Sequence, residues 1–208
     1  MLHDLGTLGT FGRPDYVDDV ELGRRMRTAA ITTSSGRTVC PFAPDPTTID
    51  PGDIAHALAN KCRWNGHTSR FYSVAQHSVL VARYTVAPAD RLWGLLHDAG
   101  EAYLPDVPSP IKPFCPSIIT AENNLLAAVA IAFGLPTTIP ATVHYADLVV
   151  RSAEARDLMR LDVTRAPWSD YPPFADGIVA LPPDAAERLF WDEFYKLTKS
   201  ASSTGKDS

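Results

Sequence analysis

The chain has 208 residues, 45% of them hydrophobic, and a formal net charge of −5 with both signs interspersed. That length suits one domain with trimmings and leaves room for a real core. The mildly acidic balance argues against a nucleic-acid polymer as ligand and leaves a small nucleotide open.

Residues 1–27 are loosely patterned, with Gly6, Gly9, Gly12 and Pro14 ahead of a short charged helix predicted over 17–27. Residues 29–33 and 38–42 flank Ser34-Ser35-Gly36-Arg37 and predict a small β-hairpin. Asp50-Pro51 predicts a helix start, with Asp50 as N-cap and Pro51 at the first helical position. Residues 62–70 break the helical pattern at Gly66 and read as a polar loop. Ser73 caps a helix expected to run to about Val86, and Pro88 separates it from one predicted over 89–103. Five prolines between Pro105 and Pro116 hold an extended loop. An alanine-rich helix follows over 117–133, closed by Gly134, and Pro140 opens another that ends near Met159 or Leu161. Residues 164–183 are proline- and aromatic-rich and irregular, and Asp184 starts a last helix. The polar tail over 200–208 predicts disorder. The expected fold is all-α: about six helices around one core, a hairpin outside it, an extension over 1–27, a main domain over 28–199 and the tail.

Cys40, Cys62 and Cys115 are far apart and form no CxxC pair, so no disulfide framework is expected and a reducing cytoplasm is the expected compartment. No apolar run reads as a membrane span, and the start Met1-Leu2-His3-Asp4 has no secretion-signal character. No membrane partner is expected.

The chemistry concentrates at Leu95-Leu96-His97-Asp98-Ala99-Gly100-Glu101, continuing to Pro105-Asp106. An imidazole and a carboxylate side by side in apolar surroundings need a partner, and a divalent cation takes both donor types. His77, His97, Asp98 and Asp147 could close one such site from separate helices. Two imidazoles and two carboxylates suit zinc, manganese, iron, cobalt or nickel. Zinc, cobalt or manganese is expected ahead of magnesium, whose all-oxygen chemistry would not need the histidines. Glu101, one predicted helical turn after His97, would stand beside a water and handle a proton. Asp106 could align that water or serve as a second proton acceptor. Arg63 offers a forked phosphate contact, Lys112 a point charge and Trp64 a flat face for a base or sugar. The loop from Arg63 to His67 would bring His67 to the pocket rim, and Arg70 is a further phosphate holder.

Other polar residues have plainer readings. His3-Asp4 lacks a helical setting and is a decoy. His56 and His144 read as helix-face residues. Glu154, Arg156 and Asp157 read as a charged helix face, as does the group Glu122, Asn123 and Asn124.

The order of an isolated His77, the pair His97-Asp98 and a distant Asp147 resembles the HD-domain metal-dependent phosphohydrolases. Arg63-Trp64, Ser73-Val74-Ala75-Gln76-His77-Ser78 and the run from His97 to Lys112 are similar to its nucleotide-cleaving branch, which holds bacterial 5′-deoxynucleotidases and phage dATP triphosphohydrolases. The resemblance covers roughly residues 28–197. It implies an HD helical bundle with His77, His97, Asp98 and Asp147 as metal ligands and Glu101 as the proton-handling carboxylate, with Asp106 beside it. It further implies that Arg63 holds the phosphate, Trp64 contacts the nucleoside and Pro110 lines the base pocket. The loop between Trp64 and His77 departs from the family pattern, which leaves base selectivity open.

The implied function is hydrolysis at the phosphorus next to the 5′ oxygen of a deoxynucleotide. Several candidate phosphate holders favour a dATP-type dNTP triphosphohydrolase over a 5′-deoxynucleotidase acting on dNMPs. Two rivals are a cyclic- or signalling-nucleotide phosphodiesterase and a non-catalytic nucleotide-binding protein that keeps a metal for structure. Aromatic residues on the last helix (Phe190, Trp191, Phe194, Tyr195) predict a homo-oligomer.

Overall fold

Short polar side chains and prolines start most of the helices. The computed structural model describes residues 19–203. The expectations for 1–18 and 204–208 lie outside the described residues. Helix α1 spans Asp19–Thr28, strands β1 and β2 span Ile31–Thr32 and Thr38–Val39, and α2 spans Pro51–Asn60. Helices α3 (Val74–Tyr84), α4 (Arg91–Leu96), α5 (Pro116–Phe133), α6 (Ala141–Asp157) and α7 (Pro183–Ser203) follow.

The predicted caps are in place. Asp50 accepts hydrogen bonds from the Gly52 and Asp53 amides, with Pro51 first in α2. Ser73 accepts from the Gln76 amide at the start of α3. Gly134 ends α5 in the left-handed region at φ 63, where its amide bonds back to Ala130 and Ile131. The hairpin is shorter than expected, pairing Ile31 with Val39 and Thr32 with Thr38. Its turn is fastened to α2 by Asp53, which accepts from the hydroxyls of Ser34 and Ser35 at 2.7 Å and from the Ser35 amide at 2.8 Å.

Helix α3 is the centre of the bundle. It is buried on almost every side, from Val74 to Val79 and at Val81 and Ala82, and it packs against α2, α4, α6 and α7. Gly94 of α4 makes the closest approach: a Cβ there would lie 2.8 Å from the Ala82 Cα and from the Thr85 hydroxyl. Only a glycine lets α4 come that near. Trp93 is buried beside it and donates its indole N–H to the Pro136 carbonyl at 2.9 Å. Gln76, also buried, clamps the segment before α7 by donating to the Val179 carbonyl and accepting from the Leu181 amide.

Four sequence expectations need correction. Helix α3 stops at Tyr84, short of Val86. The single helix expected over 89–103 is broken: α4 ends at Leu96, His97 caps it, and Ala99–Ala102 form a separate 3-10 turn. The last helix continues through Ser203, where a disordered tail was expected from Ser200. Helix α5 is long enough and apolar enough by composition to cross a membrane, where no apolar run was expected to read as a span. Here it lies on the bundle, with Leu125, Ala128, Val129 and Ala130 buried in the same core as α2–α4. Two of the four aromatics offered for oligomer contacts, Phe190 and Phe194, are spent in that core, Trp191 packs against it, and Tyr195 is exposed.

Candidate functional site

His77 sits on α3, His97 and Asp98 lie just past the end of α4, and Asp147 is on α6. The close α3–α4 contact at Gly94 brings the two imidazoles together, with Nε2 atoms 3.3 Å apart. Asp98 Oδ2 lies 3.4 Å from His97 Nε2 and 3.6 Å from His77 Nε2. These three residues form a mutually close donor set that could hold a metal ion. Asp147 joins it through His77, with Oδ1 at 3.2 Å from Nε2. A tetrahedral cation with bonds of about 2.0–2.2 Å keeps its ligand atoms about 3.3–3.6 Å apart, so the spacing of the three donors fits one.

The outer nitrogens of both rings are occupied. His97 Nδ1 donates to the Gly94 carbonyl at 2.8 Å. A carbonyl only accepts, so this hydrogen bond puts the proton of the neutral ring on Nδ1 and leaves a lone pair on Nε2. His77 Nδ1 lies 2.7 Å from Glu154 Oε1. A carboxylate behind a histidine in this way is how proteins orient metal-binding imidazoles.

Glu154 is a central residue of the cluster that the sequence reading missed. It was expected on a charged helix face, yet it is fully buried. Its second oxygen accepts from the Trp64 indole at 2.9 Å and from Arg63 Nη2 at 3.3 Å. One carboxylate thus braces the imidazole, the indole and the guanidinium. Its spacing carried a signal: Glu154 is seven residues after Asp147 and shares its helix face. Arg156 and Asp157, grouped with it, pair with each other and hold the 174–178 segment through the Phe174 and Asp176 carbonyls and the Ile178 amide.

The charges in this cluster tune one another. Burial and Arg63 push the His77 imidazole down, but Glu154 and Asp147 outweigh them and hold it up at about 9. Burial would raise Glu154, but Arg63 and His77 hold it down at about 2. Burial would likewise raise Asp147, and its hydrogen bond to His77 with the charges of His97 and Arg63 keeps it well below the usual carboxylate range. Glu101 goes the other way. Burial, then the carboxylates Asp98 and Asp106, push it well above its ordinary value. Its Oε2 is buried with no hydrogen-bond partner. Lys61, unremarked in the sequence, donates its ammonium to the Glu101 and Leu104 carbonyls and so holds this turn in place.

A cleft of about 520 Å³ opens over the cluster, lined by Arg63, Trp64, Asp98, Glu101, Asp106, Pro110, Lys112 and Asp147 among others. Most expected site residues therefore converge. His67 does not: it is exposed and outside the cleft lining, as is Arg70. Trp64 and Asn65 adopt left-handed backbone (φ 55 and 49), followed by Gly66 at φ 77, and this turn presents Asn65 where His67 was expected. Such backbone costs an ordinary residue about 1–2 kcal/mol each. Lys112 lines the cleft, but its ammonium is bound to Glu122 at 2.5 and 2.6 Å. Glu122 is therefore an ion-pair partner rather than part of a free charged face. Also lining the cleft unforeseen are Arg151, four residues after Asp147 on α6, Pro167, and Trp168, whose ring is 5.9 Å from that of Trp64.

No protein-family model matches the chain. It is 39% identical over 131 residues to the uncharacterized protein RCAP_rcc00048 of Rhodobacter capsulatus, a stretch that covers 59% of this chain and 67% of that one. It is 37% identical over 150 residues to the uncharacterized protein YfdR of Escherichia coli K12, covering 71% of this chain and 83% of that protein. With that identity over that share of the relative, the chain belongs to the family of YfdR.

Proposed function

We propose that this protein is a divalent-metal-dependent phosphohydrolase of the HD type that cleaves the 5′ phosphate ester of a deoxynucleotide, with a dNTP as substrate and deoxynucleoside plus triphosphate as products. The observation that carries the reading is the meeting of His77, His97 and Asp98 at 3.3–3.6 Å, with Asp98 lining a cleft that is also lined by Glu101, whose buried carboxyl oxygen has no partner. A structural metal site is normally closed and needs no proton carrier beside it.

His77, His97, Asp98 and Asp147 would hold the cation, which when bound supplies positive charge against a phosphoryl oxygen and favours ionisation of a nearby water. Arg63 lies in the same cleft. Its two terminal nitrogens reach Asp98 and Glu154, while Nε is buried without a partner and remains able to donate to a phosphoryl oxygen. Glu101, kept neutral by burial and by Asp98 and Asp106, can give its proton to the departing 5′ oxygen. Trp64 spends its N–H on Glu154, which fixes the ring and leaves its face for the nucleoside.

One set of observations favours the second reading, a 5′-deoxynucleotidase acting on dNMPs. Arg70 and His67 lie outside the cleft and Lys112 is paired with Glu122, so three of the expected holders of a phosphate tail are not free to bind it. The test is product analysis with dATP and dAMP in the presence of manganese, cobalt or zinc. Deoxyadenosine with intact triphosphate is the expected outcome. Turnover of dAMP alone would replace the first reading by the second, and no hydrolysis of either nucleotide with any of the ions would overturn both.

A further inference from the structure

With three of the expected phosphate holders set aside, another residue on the cleft wall becomes important. Arg151 lies on α6, one helical turn beyond Asp147, and both line the same cleft. That turn advances about 6 Å along the helix axis. The guanidinium carbon of Arg151 sits 5.7 Å from the centre of the Trp168 ring. Among the described residues it has no hydrogen-bond or ion-pair partner, and its Nε is buried without an acceptor. The other cleft cations are engaged, Arg63 by Asp98 and Glu154 and Lys112 by Glu122. Arg151 is thus the cleft's free cation among the described residues, standing beside carboxylates that would otherwise repel a multiply charged substrate.

Its setting is built. The Trp168 carbonyl accepts a 3.4 Å hydrogen bond from Ser152, the residue after Arg151, so ring and guanidinium are anchored to the same helix. The cation–π contact restricts the planar fork without using its terminal N–H donors, which remain free for two phosphate oxygens at once.

We infer that Arg151, held by Trp168, is a second phosphate subsite that takes the substrate's phosphate groups beyond the scissile ester. This rests on the proposed phosphohydrolase reading and deepens it. It makes the nucleoside triphosphate the substrate class by an arginine that the sequence reading did not consider.

The experiment uses the full chain, wild type against Arg151→Ala and Arg151→Lys. Inorganic tripolyphosphate, orthophosphate and deoxyadenosine are titrated calorimetrically, and kcat/KM is measured for dATP and dAMP. Arg151→Ala should weaken tripolyphosphate binding by about ten- to a hundredfold and orthophosphate binding by less than about threefold. The ratio of kcat/KM for dATP over dAMP should fall by about tenfold or more. Arg151→Lys should keep the fold and recover only part of the affinity, because an ammonium cannot make the forked contact. Equal losses for tripolyphosphate and orthophosphate, or no loss, would overturn the subsite, and loss of deoxyadenosine binding instead would assign Arg151 to the base. If the wild type hydrolyses no nucleotide, the phosphohydrolase reading fails, and the tripolyphosphate titration still judges the subsite.

Discussion

On the floor of the cleft, all four imidazole nitrogens of His77 and His97 and both oxygens of Glu154 have partners. On the wall, Arg151 has none and Pro110 and Ser109 are exposed. The two regions share α6, which contributes Asp147 and Glu154 to the floor and Arg151 to the wall. The floor resembles a core: buried, braced from several helices and costly to disturb. The wall is a proline-held loop and a guanidinium set against an indole, which a ligand can engage without dismantling anything. In the proposed enzyme, chemistry is fixed by the first and substrate choice by the second.

The hardest blow to the floor is loss of a donor. Asp98→Ala should lower divalent-ion affinity and hydrolysis by about a thousandfold or more, read by calorimetric titration against a competing chelator and by product release. Hydrolysis that survives with metal binding gone would mean that the floor is structural. Glu101→Gln comes next. Metal should stay bound while turnover falls by about a hundredfold or more. Because Glu101 would act in its protonated form, the wild-type rate should fall as pH rises through its elevated value, and that limb should vanish in the variant. An unchanged pH profile would remove Glu101 from proton transfer.

Glu154→Gln tests whether the floor depends on its brace. The amide oxygen can still accept from His77 Nδ1, but the uncharged amide nitrogen then faces the Trp64 and Arg63 donors and cannot accept from them, so metal affinity should fall by about ten- to a hundredfold. Glu154→Ala leaves three buried donors without an acceptor and should cost about 3–5 kcal/mol of stability, read as a lowered Tm. If Glu154→Gln binds metal as tightly as wild type, the carboxylate only fills space.

These expectations also mark how far the sequence could be read. Asp50, Ser73 and Gly134 bound helices through contacts within a few residues, and such contacts are visible in the chain. His77, His97, Asp98 and Asp147 were picked out by residue type and setting; the fold brings the first three together, and Asp147 reaches them through His77. The broken helix at His97 was not visible, because the apolar pattern runs on through Leu104. Glu154 was hidden for a related reason: Ala153 to Asp157 alternates like a surface, and its burial depends on Trp64 and His77, 90 and 77 residues away in the chain. The left-handed turn at Trp64 and Asn65, which turns His67 away, is held by the same distant carboxylate.

The smallest effect is expected on the wall, at Lys112. Its side chain is a third exposed and its ammonium touches both oxygens of Glu122. A half-solvated pair of this kind contributes at most about 1 kcal/mol, so Lys112→Ala should lower kcat/KM for dATP by less than about fivefold. Glu122→Gln would release the ammonium toward the cleft and should raise tripolyphosphate affinity by about two- to fivefold. A loss of about a hundredfold in Lys112→Ala would show that the lysine leaves Glu122 when substrate enters. Lys112 would then act with Arg151, and the wall would have its own rearranging charge network in place of a single fixed guanidinium.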